Sequence, residues 1–268
     1  MVVAFLRLCL MCFLFPNVLA LGTAMRCSVV IISGQTRTLE TSWPHIKQTV
    51  IEPLQSLGFT IMVVAVLDSL NHRSLLQQSD SAATIMKLTD DTPPLPNIKI
   101  MSQAALGSRN RLFAYTRMLW HAQKLASRRM RDCNLTQSVI VRQRPDIHLI
   151  RPIPTEIRTA LLASKQVVFM PKQSSNGGIN DRFAIGSALP MMRLLRFYET
   201  ILDMFVHRNF TDTRICRTSR LCETEGIFQA HLVITGVNTV SIDLPMHKEC
   251  ESHPVKMTTT DFYRWGKC

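Results

Sequence analysis

The sequence predicts an α/β fold with helices on both faces of a sheet, and three observations carry that prediction. Short, β-branched apolar runs of strand length recur along the chain, at Ser28–Ser33, Phe59–Leu67 and Val167–Met170. Segments of helical period lie between them. The chain has 268 residues, 46% of them hydrophobic and 19% charged, enough for a buried core and too apolar for disorder. No segment repeats at a fixed spacing of about 20–50 residues, which argues against solenoids and propellers.

Taken in order, Ser28–Ser33 ends at Gly34 and a polar Gln-Thr-Arg-Thr segment. That is the pattern of a strand buried on both faces with a loop at its carboxyl end. Residues 43–56 read as a helix and Phe59–Leu67 as a second strand ending at Asp68. Residues 69–97 are polar, with prolines at Pro93, Pro94 and Pro96, so an excursion is expected there, followed by a brief third strand at Ile98–Met101. Residues 107–131 form a long basic helix with Leu112, Tyr115, Leu119, Ala122 and Leu125 near helical spacing. Ser138–Val141 and Ile147–Ile150 are β-rich segments around Arg142-Gln143-Arg144-Pro145-Asp146. Val167–Met170 is another strand, residues 189–206 and 224–235 read as helices, and Asn238–Ile242 closes as a strand. In open α/β sheets ligands bind outside the carboxyl ends of the strands. The polar residues after each apolar run are therefore the ones to weigh: Gly34–Arg37, Asp68, Asp146 and Asn180–Asp181.

The first 24 residues are a separate object. Met1–Arg7 carries one positive charge, Leu8–Leu21 is almost wholly apolar around Pro16, and the small residues Ala20, Gly22 and Ala24 suit a signal peptidase. The run is shorter than the ~20 residues of a membrane span. Residues 1–24 are thus expected to be a cleaved signal peptide, with an uncleaved signal anchor as the other reading. Residues 27–268 are expected to form a single domain in the secretory pathway lumen, in the Golgi or endoplasmic reticulum, or outside the cell. A membrane is then a partner only through the anchor. Of eight cysteines, Cys9 and Cys12 fall in the leader. The others, Cys27, Cys133, Cys216, Cys222, Cys250 and Cys268, are expected to pair in an oxidising compartment. Cys216 with Cys222 is the expected bridge, across a short Arg-rich turn, and Cys250 with Cys268 would clip the tail. No C-x-x-C or H-x-x-x-H spacing supports zinc. Sequons at Asn134 and Asn209 are the expected glycosylation sites.

The net charge of +12, from 31 Lys and Arg against 19 Asp and Glu, favours anionic partners. Nucleic acid would explain the charge and is set aside because the expected address is lumenal. Dinucleotide, P-loop and nucleophile-elbow motifs are absent.

Three segments carry a resemblance: Ser33-Gly34-Gln35-Thr36-Arg37 after the first strand, Val139–Asp146 with its R-P-D, and Asn180-Asp181-Arg182-Phe183-Ala184-Ile185-Gly186. With Glu223-Thr224-Glu225 opening a late helix, their order over residues 27–245 resembles glycosyltransferases of GT-A-like fold. Among these it resembles the WavE-type lipopolysaccharide-biosynthesis proteins and their eukaryotic counterparts. The resemblance implies a GT-A-like (Rossmann-like) mixed sheet in a single domain. It also implies a nucleotide-sugar donor, a glycan or protein acceptor, and a divalent metal (Mn2+ or Mg2+) at the donor diphosphate. A catalytically inactive lumenal nucleotide-sugar- or glycan-binding protein is the alternative.

The resemblance puts Asp146 in the position of the metal-holding acid, with His247 completing the shell. The sequence has one acid, in R-P-D, where many members have D-x-D, so Arg142 or Arg144 is expected to share in neutralising the diphosphate. Ser33, Gly34 and Arg37 would lie beneath the nucleotide, with Asp68 at a ribose hydroxyl. Asn180, Asp181 and Arg182 would lie near the sugar and acceptor. Glu225 is the candidate general base and Asp181 the second candidate catalytic acid. Trp265 either stacks on a sugar or packs the tail. The structural alternatives are a turn cap for Asp146 and for Asn180–Asp181, and an ordinary strand exit for Ser33–Arg37.

Overall fold

The computed structural model describes residues 25–34, 36, 38–67, 70–87, 103–172, 182–203 and 224–248, with the backbone alone at 103–114 and 224–227. Its strands are β1 (Cys27–Gly34), β2 (Thr60–Leu67), β3 (Thr84–Lys87), β4 (Val139–Gln143), β5 (Ile147–Leu149), β6 (Val168–Pro171), β7 (Phe183–Ser187), β8 (Thr239–Ile242) and β9 (Met246–Lys248). The helices are α1 (Leu39–Ile46), α2 (Glu52–Ser56), α3 (Arg73–Gln77), α4 (Gln103–Arg129), α5 (Thr155–Leu162), α6 (Ala188–Leu195), α7 (Phe197–Leu202) and α8 (Thr224–Ile234), with a π-helical turn at Lys47–Ile51 joining α1 to α2.

Seven strands make one sheet in the order β3-β2-β1-β4-β7-β6-β8. β7 is antiparallel to both neighbours, and the remaining pairs are parallel. β5 and β9 form a separate antiparallel ribbon. The expected mixed α/β sheet is present.

Alternation along each strand builds two cores. Val29 and Ile31 of β1, Val64 and Val66 of β2 and Ile140 of β4 face Leu119, Ala122, Phe197 and Phe228 from α4, α7 and α8. Val30, Ile32, Val63, Leu67 and Val141 face Trp43, Val50, Leu54 and Ile157 from the α1–α2 segment and α5. Burying each such side chain fully is worth about 1.5–3 kcal/mol, so strands with two apolar faces commit the chain to a layer on each side. Behind α6 and α7, His231 of α8 is buried against Phe197, and its Nε2 donates to the Leu194 carbonyl at 2.9 Å. Burial pushes its pKa down to about 4, so it is a neutral part of the core.

The first helix begins at Leu39, ahead of the expected residue 43, and passes through Pro44. Pro53 has no N–H for the Thr49 carbonyl four residues back, and that carbonyl accepts from the Ile153 N–H at 3.0 Å. The edge partner of β2 is Thr84–Lys87, inside the expected excursion, while Ile98–Met101 lies outside the described residues. The expected helix 189–206 is two helices that break at Arg196. Thr155–Leu162 and Met246–Lys248 form elements that periodicity did not mark. Phe183–Ser187, most of which falls in the Asn180–Gly186 motif and which periodicity does not mark as a strand, is a buried central strand. Its Gly186 has a packing reason, since a Cβ there would collide with the carbonyl oxygen of Val167, just before β6.

A disulfide joins Cys27 at the start of β1 to Cys133 after α4. The expected bridge Cys216–Cys222 and the pair Cys250–Cys268 lie outside the described residues. No helix of the described residues is long and apolar enough to cross a membrane, and the leader, residues 1–24, is not among them.

Candidate functional site

The chain moves outward from β1 to β2 and β3 on one side, then returns to lay β4 on the other. The carboxyl ends of β1 and β4 therefore flank the switch point where such sheets open a crevice. Register pairs Ile31 with Arg142 and Ile32 with Gln143. Alternation sends Ser33 and Arg142 to the face that α4 covers. Arg142 reaches from β4 to β1, where its Nε donates to Ser33 Oγ at 3.4 Å. Its Cζ sits 5.3 Å from the Tyr115 ring centroid of α4. The side chain is 1% exposed, and neither terminal nitrogen has an acceptor among the described residues. A buried charge without acceptors costs several kcal/mol, and such a group in a native structure points to a missing partner.

Two residues on, Arg144 faces the opposite situation. Its Nε and Nη2 donate to the two oxygens of Asp146 at 2.9 and 2.7 Å. Burial pushes the Asp146 carboxyl up, but the hydrogen bonds and charge of Arg144, a backbone N–H and the Lys248 charge outweigh it and hold the group below the usual carboxylate range. The turn carrying this pair is pinned on several sides. The Pro145 carbonyl accepts from Ser42 Oγ of α1, and Gln143 Nε2 donates to the Ile147 carbonyl. Gly34, at φ +144°, leaves room for Pro145, whose Cδ would stand 2.9 Å from a Cβ at that position. The close approach that Gly34 permits is therefore to the R-P-D turn rather than to a ligand. The Arg144 N–H donates to the Arg182 carbonyl at 3.2 Å, so the start of β7 meets the same edge.

Beyond the turn, the β5–β9 ribbon pairs Ile147 with Lys248 and His148 with His247. His148 stacks on His45 of α1 at 4.2 Å and lies 5.1 Å from the His247 ring. Burial, with the His45 and His247 charges, pushes the His148 pKa down to about 3.

Ser33, Gly34, Arg144, Asp146, Arg182 and His247 are thus gathered at one edge of the sheet. Arg37, Asp68, Asn180, Asp181, Asn209 and Trp265 lie outside the described residues. Glu225 lies in the first turn of α8, and the helix closes into the amino end of β8, so its start points toward the carboxyl edge. Asn134 is at the far end of the sheet, where its Oδ1 accepts from the Thr136 N–H and hydroxyl at 3.1 and 2.7 Å. Sequence reasoning missed Tyr115, Lys248, Ser42 and His148. The one signal in view was Arg142 itself, a charge inside the strand Val139–Gln143.

The described residues do not fit a divalent cation at Asp146. Its charge is balanced by Arg144 with Lys248 nearby, and among the described residues no three His, Cys, Asp or Glu side chains gather into a metal shell. What the arrangement offers is a cationic edge suited to an anion.

No protein-family model matches the chain, and no curated protein matches it. Among solved structures, the crystal structure of mouse xyloside xylosyltransferase 1 in its apo form is similar, with a TM-score of 0.45 and 10% sequence identity over 82% of this chain and 86% of that chain.

Proposed function

We propose that this chain is a glycosyltransferase of the secretory pathway that takes its sugar from a nucleotide-sugar donor bound at the crevice between β1 and β4. The observation that carries this reading is Arg142, a buried guanidinium whose terminal donors are unmet among the described residues, at the switch point of the sheet. Guanidinium forks match phosphate oxygens, and the carboxyl edge at a switch point is where α/β sheets receive such ligands. In the transfer the acceptor hydroxyl oxygen bonds to the anomeric carbon while that carbon's bond to the diphosphate breaks. The electron pair leaves on the nucleoside diphosphate, and the hydroxyl proton goes to a carboxylate, for which Glu225 and Asp181 are the candidates. Cations at the leaving group stabilise the charge that develops there.

The alternative, a nucleotide-sugar- or glycan-binding protein without transferase activity, is favoured by the bidentate hold of Arg144 on Asp146. The experiment that decides is a screen of nucleotide sugars for release of nucleoside diphosphate, with and without manganese, beside direct binding of the same compounds. Release from one of them supports the transferase, binding without release supports the alternative, and neither overturns both.

A further inference from the structure

We infer that this chain neutralises the diphosphate of its ligand with guanidinium groups, Arg142 foremost, rather than through a divalent cation. The inference rests on the reading above, in which the crevice takes a diphosphate moiety.

Three observations converge on it. The acid in the position that the resemblance gives to metal binding is already balanced, since both Asp146 oxygens accept from Arg144 and the Lys248 charge acts on it as well. Among the described residues no three-ligand shell exists at this edge or elsewhere. The unmet electrostatic demand is instead for an anion, because the terminal nitrogens of Arg142 are buried and lack acceptors among the described residues.

A buried guanidinium directly after the apolar run Val139–Val141 of a central strand is a local rule broken, and such breaks concentrate where function requires them. Here the missing acceptor would be two phosphate oxygens, which a fork of parallel N–H donors meets in one plane. The Tyr115 ring lies 5.3 Å from the guanidinium, so it is a neighbour of any anion that the fork receives. Ser33, holding Nε, keeps the fork aimed along the crevice. Arg144 and Arg182 meet through their backbones at the rim, and together with Lys248 they bring further positive charge to the same edge. Arg142 is a binding residue in this scheme, and Asp146 is a positioning residue that holds Arg144.

Calorimetric titration of the full chain with inorganic pyrophosphate, UDP and GDP, once in EDTA and once in manganese, tests the inference. Pyrophosphate is expected to bind with dissociation constants that agree within about twofold between the two conditions. Arg142→Met is expected to weaken it by about tenfold or more while the unfolding temperature holds or rises. Arg142→Lys, which keeps the charge and loses the fork, is the second variant and should fall between the two. Binding that appears only with manganese overturns the inference and leaves the crevice reading standing. Binding in EDTA that a folded Arg142→Met or Arg142→Lys leaves unchanged overturns it as well. If the folded wild type takes none of the three probes in either condition, the crevice reading itself fails.

Discussion

At the amino end, β1 and β4 are braced. Cys27 is bonded to Cys133, the Cys27 N–H donates to Ser138 Oγ at 3.2 Å, and nearby Arg129 meets Asp80 at 2.8 Å. The same Asp80 carboxylate accepts from the Val63 and Ala82 N–H groups at 2.8 and 3.0 Å. At the carboxyl end of the same two strands, Arg142 is more deeply buried than Arg129 and its terminal nitrogens have no acceptor among the described residues. Arg129 also keeps one buried nitrogen, Nε, without an acceptor among the described residues, but its charge is met by a carboxylate, whereas no described carboxylate pairs with Arg142. The lesson is that burial alone does not separate a structural charge from a functional one, whereas the presence of a counter-ion does.

The comparison can be broken at several points. Removing the brace should have the largest effect. The bridge spans 106 residues, and in the chain-entropy model a loop of that size is worth about 5 kcal/mol. Cys133→Ala should therefore lower the midpoint of thermal unfolding by roughly 10 °C, with pyrophosphate affinity below that midpoint unchanged. A comparable loss of affinity would mean that the two ends are coupled. Asp80→Ala comes next. It strands the Arg129 guanidinium and two backbone donors, and should cost about 2–3 kcal/mol in denaturant unfolding, again without touching the anion site.

Smaller effects belong to the carboxyl edge. Asp146→Asn should cost about 1 kcal/mol at neutral pH, discounted because Arg144 is partly exposed. The folded pKa of Asp146 is depressed, so its contribution is present above the unfolded carboxylate range and is lost as pH falls through the lower folded value. The stability gap between wild type and Asp146→Asn should close on acidification below about pH 4, and a gap that stays constant would show that the ion pair contributes nothing. The smallest stability effect belongs to Arg142→Met in the ligand-free protein, expected within about 1 kcal/mol of wild type or above it. A large destabilisation would place Arg142 with Arg129, as a brace.

Much of the architecture was legible beforehand. Val29–Ile32 and Val63–Leu67 have apolar side chains at every position, which only a strand covered on both faces can bury, so a layered α/β sheet follows from local pattern alone. Thr84–Lys87, Phe183–Ser187 and Met246–Lys248 were not legible as strands. Runs of three to five residues carry little periodicity, and their assignment depends on partners distant in sequence: β2 for the first, β4 for the second and β5 for the third.

The candidate site divides in the same way. The sequence by itself determined that Ser33–Gly34 and Arg144-Pro145-Asp146 follow apolar runs and so end strands, because hydrophobic patterning and the turn chemistry of Gly and Pro act over a few residues. Only the tertiary structure decided what those residues do. It set β1 beside β4 so that Arg142 reaches Ser33, brought Pro145 against Gly34, and spent the carboxylate of Asp146 on Arg144. It also carried Lys248 and His247 to that edge from a hundred residues away in sequence. Charge satisfaction is a sum over neighbours in space, and strand order and register, which choose those neighbours, arise from packing across the whole sheet.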